Sequence, residues 1–423
     1  MFKKIQSTYH EFPNTFWTLT GASFVDQIGS FILFPFFALY ITDKFNVGMT
    51  QVGYLFAMFS VGSVLGGILG GAMTDKFGRK SMMLFGLVVS GIGSISMGLV
   101  NELNLFYILA AVLGIIGSAG GPARQAMVAD ILPAKQQAEG FGIMRVSANL
   151  AATIGPALGG FLASRSFMLL FIADAVASLI TGIIVYFVIP ETKPEKEPGA
   201  AEETIVQTVG GYKDVITDWV FMGYLAVSAL MVLVYMQMQS TLSVFLRDNH
   251  GVPAEGFGWI LSMNAAMVVL FQFWITRKIA GRPPMLLMAI GTFLYGIGFA
   301  MYGFVSATVM FFVAMGIITI GEMITAPIGQ SLAAQFAPED KRGRYMAVFG
   351  FSWLLPNMFG VLGAGLIMDH YDPNWVWYLA GILSLVAVVG FLALGVPTAR
   401  RLKSAENDNN DVPEIPPVPV PAD

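Results

Sequence analysis

Two acidic residues sit where acids are costly. Asp26 lies in SFVDQIGSF and Glu322 in ITIGEMITAP, each near the middle of an apolar run long enough to cross a bilayer. A carboxylate at that depth faces protein or a water-filled cavity rather than lipid. Burial favours its protonated form, and a nearby cation favours the ionised form. Such a group can load and release a proton as its surroundings change, which is what proton-driven transport requires. The alternative for each acid is a static buried pair. Arg145 is a candidate partner for either acid or for an anionic substrate, and it fits a fixed salt bridge equally well. Asp26, Glu322 and Arg145 form the proton-coupling set on this reading. Arg124 lies nearer the end of its run and is expected to snorkel outward. Asp174 is expected near an outer end, in a structural role.

Amides and aromatic rings inside other runs are candidates for a substrate cavity: Gln27, Asn149, Tyr235, Gln237, Gln239, Asn264, Trp353 and Asn357. Buried amides also serve as ordinary hydrogen bonders between membrane helices. The 25 Met and 34 Phe residues suggest apolar, adaptable walls. A sugar would need more convergent polar groups, so an amphipathic or apolar substrate is favoured.

These residues need a scaffold, and the composition specifies its kind. The chain of 423 residues is 56% hydrophobic and 12% charged, with a mean hydropathy of +0.69. A soluble domain carries roughly 25% charge. The apolar runs are too long, and alternate too little, for barrel strands. They read as twelve transmembrane helices over 14–41, 51–72, 81–99, 104–129, 139–163, 167–189, 218–246, 254–276, 284–305, 308–333, 343–368 and 374–396. Lys3 and Lys4 precede a polar stretch, and the first run far exceeds a signal core, so it is expected to stay as an anchor. With both termini cytoplasmic, the outer loops hold only Lys44, Arg165 and Arg247 of the 23 Lys and Arg residues. That bias predicts cytoplasmic termini, and the expected location is the plasma (inner) membrane.

The chain also repeats itself. Pro122, Gln125, Ala129, Pro133, Ser147, Leu150, Gly155 and Gly160 recur as Pro327, Gln330, Ala334, Pro338, Ser352, Leu355, Gly360 and Gly365. A duplicated membrane bundle points to a transporter with its site between the halves. The expected fold is all-α and integral to the membrane, in two pseudo-symmetric six-helix bundles, 1–189 and 218–399. A charged, Pro/Gly-rich cytoplasmic linker over 190–217 separates them. The tail, 400–423, has almost no apolar mass to bury, and disorder is expected there. The repeat breaks at costly residues: Glu322 corresponds to Gly117, Arg145 to Gly350 and Pro156 to Val361.

The loop after the second run reads Gly71-Ala-Met-Thr-Asp75-Lys76-Phe-Gly78-Arg79-Lys80. Gly78 permits a tight reversal, Asp75 can accept from a helix N-terminus, and Arg79 can fork onto a carboxylate. Charge alone would also fit a loop that merely sets topology. The stretch resembles the G-x-L-x-D-R-x-G-R-K signature of the major facilitator superfamily, with Met73 for Leu and Lys76 for the first Arg. The second half keeps a remnant, Thr276-Arg277-Lys278 to Gly281-Arg282. The resemblance covers essentially all twelve spans. It implies that Asp75 and Arg79 latch the halves at the cytoplasmic face, with Asp130 as partner of Arg79. The fifth run carries Gly142 and then Gly155-Pro156-Ala-Leu-Gly159-Gly160, which is similar to the superfamily's antiporter motif; Ala151 stands where that pattern has another Gly. Small residues let helices approach closely, and Pro156 favours a bend.

The resemblance extends to the drug:proton antiporter branch. It implies a proton-coupled carrier exporting small amphipathic or apolar compounds by alternating access. The alternatives on the same fold are a symporter for peptides or other nutrients and a flippase for lipid-linked molecules. The GEMITAP run also resembles a helix of proton-coupled peptide carriers. Their E-x-x-E-R pattern is missing from the first span, where Asp26-Gln27-Ile28 stands. Cysteine is absent, and His10, His250 and His370 are isolated, so no metal site, cofactor or enzyme chemistry is expected. Protons would be the coupling ion. The expected partners are a small-molecule substrate and the lipid bilayer, with no nucleic acid, and the expected state is a monomer.

Overall fold

The apolar runs form twelve helices long enough to span a membrane, in a computed structural model that describes residues 11–193, 215–337 and 342–410. The side chains of 68, 72, 75, 134, 135, 138, 342, 343 and 403–410 lie outside that description. No strand occurs among the described residues. The first six helices are α1 (Asn14–Phe45), α2 (Met49–Phe77), α3 (Arg79–Leu99), α4 (Leu103–Ile131), α5 (Ala134–Ala163) and α6 (Met168–Val188). The second six are α7 (Trp219–His250), α8 (Ala254–Ile279), α9 (Pro284–Tyr302), α10 (Thr308–Phe336), α11 (Arg344–His370) and α12 (Asn374–Asn410). Each of α7 to α10 starts 205 residues after its counterpart among α1 to α4, so the sequence repeat is a structural repeat.

Local sequence accounts for the breaks. Pro35 removes a backbone donor and α1 tightens into a 3-10 turn over Phe34–Phe36. The glycine-rich stretch after Gly117 does the same to α4 over Ser118–Gly120. Between α2 and α3 the chain reverses on Gly78 alone, at φ +96°, a conformation costly for any residue with a Cβ.

The halves meet through α2 on α11, α5 on α8 and the end of α1 on α7. Their closest approaches lie toward the face opposite the chain termini. There Gly160 of α5 and Gly258 of α8 pack backbone to backbone, and a methyl group on either would overlap the other helix. Asp369, near the end of α11, accepts from the Met49 and Thr50 amides at 2.8 and 2.7 Å, capping α2 across the halves. A carboxylate suits the unpaired amides and positive dipole end of a helix. One apolar core joins the second half to this end of the first, through Phe36, Leu39, Val52 and Phe171. A separate core of Phe12, Phe16, Met82, Met127 and Val185 serves the termini end of the first half. The halves are therefore sealed at one face and packed separately toward the other.

The expected tail boundary at 400 is corrected: α12 continues to Asn410. Arg401 ties the first turn past that boundary to the bundle: its guanidinium is ion-paired to Asp218 at the start of α7 and donates to the Phe336 carbonyl at 2.9 Å. Residues 411–423, and most of the expected linker, 194–214, lie outside the described residues.

Candidate functional site

Glu322 is partly buried on α10, and its two oxygens are shared between two other helices. Tyr235 of α7 donates to Oε1 at 3.0 Å, and Asn264 of α8 donates to Oε2 at 2.9 Å. Thr319, one turn before Glu322, accepts from the same Asn264 amide at 2.9 Å. The Tyr295 hydroxyl is bound to Thr325 at 3.0 Å, and its ring packs 5.8 Å from that of Tyr235. No cationic side chain forms an ion pair with Glu322 among the described residues. Neutral donors thus hold a carboxylate inside the bundle. That differs from a static buried pair, where fixed opposite charges offset desolvation.

Two cavities meet at this carboxylate. One, of about 160 Å³, lies between the halves and reaches Pro35, Asn149, Pro156 and Gln239 as well as Glu322. The other, of about 170 Å³, reaches Arg145, Gln330 and Trp353. Arg145 donates to Gln330 Oε1 at 2.8 Å, a bond that crosses from α5 to α10. Arg145, Gln330 and Trp353 are exposed, so this space is open rather than enclosed. Trp353 stands edge-on to Tyr235, with ring centres 6.1 Å apart.

The first half is built differently. Asp26 accepts from Arg124 at 3.4 Å and from Ser178 at 3.2 Å, and it lines a cavity of about 200 Å³ with Arg124 and Ser90. Arg124 therefore turns inward. The snorkelling expectation fails because Asp26 stands within reach of the 3-10 break that opens α4. Arg145 is not the partner of Asp26. Asp174 lies within two turns of the end of α6, as expected, but it is buried, stands beside Asp26 and lines a cavity of about 330 Å³. Its apolar surroundings in SFMLLFIADAVAS give no clue to depth, because a helix running inward buries an acid within two turns of its end.

The predicted lining residues separate. Tyr235, Gln239, Asn264, Asn149 and Trp353 gather around Glu322. Asn357 instead donates to Ser60 at 3.0 Å and faces the large cavity of the first half. Gln27 and Gln237 are not in these cavities; each donates at 2.9 Å to the carbonyl one turn back, of Ser23 and Leu233. Sequence reasoning missed Tyr295, Thr319, Gln330, Ser178 and Asp369. Hydroxyls and short polar side chains inside apolar runs carry no signal that separates a site from a helix's own back-bonding.

The loop motif holds as a local device. Arg79 donates to Asp130 at 3.0 Å, and Thr192 donates to the same oxygen at 3.3 Å. Glu191, not anticipated, accepts from the Arg79 and Lys80 amides at 2.8 and 3.2 Å and so caps α3. Lys80 reaches the Tyr186 carbonyl at 2.7 Å. Asp130 and Tyr186 belong to the first half and Glu191 and Thr192 to the segment just after it, so none of these bonds reaches the second half. The side chain of Asp75 lies outside the described residues, and Gly71 touches no neighbouring helix closely. In the second motif Gly155 and Gly159 seat α5 against Phe31, Ile32 and Phe36 of α1, and Pro156 and Gly160 meet α8. Gly142 has no close neighbour, so it does not serve packing here.

A sequence model of the Major Facilitator Superfamily matches residues 19–360 and 287–420. The chain belongs to that superfamily. Similar characterised proteins include a Na(+), Li(+), K(+)/H(+) antiporter of Planococcus maritimus, 26% identical over 85% of this chain and 95% of that one. Another is the multidrug resistance protein MdtH of Escherichia coli, 25% identical over 89% of this chain and 93% of its own. Among solved structures, the nucleoside transporter NupG superposes with a TM-score of 0.77 at 13% identity, covering 90% of this chain and all of that one. A peptide transporter in complex with sulfate gives 0.75 at 15%, covering 92% and 96%. The superfamily member described here is a multi-pass membrane protein, and its relatives are transporters rather than enzymes.

Proposed function

We propose that this protein is a proton-coupled secondary transporter that exports small amphipathic or apolar compounds. The observation that carries the reading is Glu322, a carboxylate held by neutral donors from α7 and α8 at cavities between the halves. The two oxygens are not equivalent. The Asn264 amide can only donate, whereas a tyrosine hydroxyl can donate or accept. A proton arriving at Glu322 therefore settles on the oxygen facing Tyr235, whose hydroxyl turns to accept it. That reversal changes how α7 is tied to α10. Protonation also removes the charge that Arg145 faces across the shared cavity, weakening an attraction between the halves. Release of the Arg145–Gln330 bond then lets the halves rock about the seam at the opposite face.

On this reading both termini are cytoplasmic, the membrane is the plasma membrane, and the sealed face is the outer one. The working unit is a single chain, with protons as coupling ion. The multidrug relative supports the cargo class. A second reading, exchange of alkali cations for protons, draws support from the Planococcus relative. The likeness to peptide carriers lies below 25% identity and concerns the fold alone.

Inverted proteoliposomes given an acid interior on the side of the outer face test the reading. Proton-driven accumulation of an amphipathic dye that wild type performs and Glu322→Gln does not is the expected result. Accumulation unchanged in Glu322→Gln would remove Glu322 from the coupling step. Ion flux in place of dye flux would favour the second reading.

A further inference from the structure

The structural repeat places five pairs of residues in corresponding positions. Tyr235, Gln239, Asn264, Tyr295 and Glu322 of the second half match Ser30, Phe34, Phe59, Ser90 and Gly117 of the first. All five of the second half line the two cavities at Glu322. All five of the first line the cavity of about 330 Å³. The same location is therefore filled by an acid and its donors in one half, and emptied by Ser and Gly in the other. A volume of that order is typical of small-molecule sites.

The emptied location has its own acid, supplied from another helix. Asp174 of α6 is only 7% exposed and lines this cavity. Ser94 stands beside it, and the Ser94 hydroxyl also donates to the Phe171 carbonyl at 3.2 Å. Among the described residues no Lys, Arg or His forms an ion pair with Asp174. Its other charged neighbour is Asp26, which already holds Arg124. Two carboxylates against one guanidinium leave one negative charge inside the bundle without a protein partner. A buried acid is either paired or neutralised by a proton, so Asp174 when ionised is suited to a single positive charge from outside.

The walls say which kind. Phe34, Phe37, Phe56 and Phe59 line the cavity, and the Phe56 ring lies edge-on to Phe34 and Phe37 at 5.7 and 6.3 Å. Aromatic faces attract weakly hydrated organic cations. An alkali-metal ion would be held by oxygens such as those of Asp174, Ser90 and Ser94 and would leave the phenyl walls unused, whereas an organic cation uses both. Phe34 and Phe59 are 41% and 39% exposed and form the mouth. Asn357 of α11 completes the lining, so movement of the halves reshapes the cavity.

We propose that this cavity is a second ligand site, separate from the Glu322 centre, which takes an organic monocation with its charge at Asp174 and its body against the phenyl rings. The proposal rests on the export reading in that it names the charge of the cargo. Its test does not, because binding is read at equilibrium with no gradient.

Full-length protein in detergent at pH 8 is dialysed against tetraphenylphosphonium and, separately, against tetraphenylborate, an anion of the same shape. Saturable binding of the cation is expected, with the anion weaker by about tenfold or more. Asp174→Asn should weaken the cation about tenfold, Asp174→Glu should restore it to within about threefold, and Phe34→Ala and Phe59→Ala should each cost about threefold or more. Equal binding of cation and anion, or unchanged cation binding in Asp174→Asn, overturns the proposal. Displacement of the cation by millimolar Na⁺ or K⁺ overturns it in favour of an inorganic ion. Should Asp174→Asn fail to fold, the two wall variants decide, and unchanged binding in both overturns the proposal.

Discussion

The two halves share a frame and differ in how they treat buried charge. In the second half Glu322 is bound by Tyr235 and Asn264 and, among the described residues, by no ion-pair partner. In the first half Asp26 is paired with Arg124 and bonded by Ser178. An acid among neutral donors can change protonation state by turning a hydroxyl. An acid beside a guanidinium must also leave a cation uncompensated. On the proposed reading, this difference puts the mobile proton in the second half and gives the first a more fixed electrostatic role, with Asp174 as an acid outside the ion pair.

The sharpest way to break that assignment is to neutralise each acid in turn. Glu322→Gln should reduce proton-driven transport by about a hundredfold or more in proteoliposomes, since coupling needs the titrating group itself. Asp26→Asn should retain a larger share of proton-driven movement. The opposite ranking would place coupling in the first half.

Next in size is the ion pair of the first half. Arg124→Ala leaves Asp26 without its cation and should destabilise the folded protein by about 1–3 kcal/mol. Complete burial would cost about 3–5 kcal/mol, but the Arg124 side chain keeps 32% of its surface exposed. Thermal unfolding in detergent measures it, and Arg124→Ala combined with Asp26→Asn should recover part of the loss. No recovery would mean that Arg124 acts through packing.

The seam between the halves offers a third test. Asp369→Ala removes two charge-assisted bonds to the start of α2 and should weaken the sealed face by about 1–3 kcal/mol. Hydrogen exchange should then rise at residues 49–53 while the amides around Phe16 and Met127 are unchanged. A uniform rise would show ordinary destabilisation instead of a shifted rocking equilibrium.

The smallest effect is expected at the α3 cap. Glu191→Gln keeps an acceptor for the Arg79 and Lys80 amides but loses the charge, costing about 0.5–1 kcal/mol near a helix N-terminus. Thermal unfolding at low and high salt checks it, and the difference should shrink as salt rises.

Much of this was readable in advance. Glycine, proline and amide positions matched between halves, and the helix starts keep the same offset because membrane helices have little freedom in length. Tyr235, Gln239 and Asn264 were legible because polar groups within apolar runs are few. The partners of Arg124, Asp174 and Asn357 were not legible, for one reason. A sequence shows how far along a helix a residue lies, whereas its partner depends on helix rotation and on breaks such as Ser118–Gly120.

What the sequence by itself determined is the membrane class, the twelve spans, the duplication and the few acids worth suspecting. Those follow from composition and spacing, since lipid forces backbone groups to pair within each helix. Only the tertiary structure decided which acid is paired, which is held by neutral donors and which stands alone beside a cavity. Charge pairing acts over a few ångströms between helices far apart in the chain, and no local pattern encodes that distance.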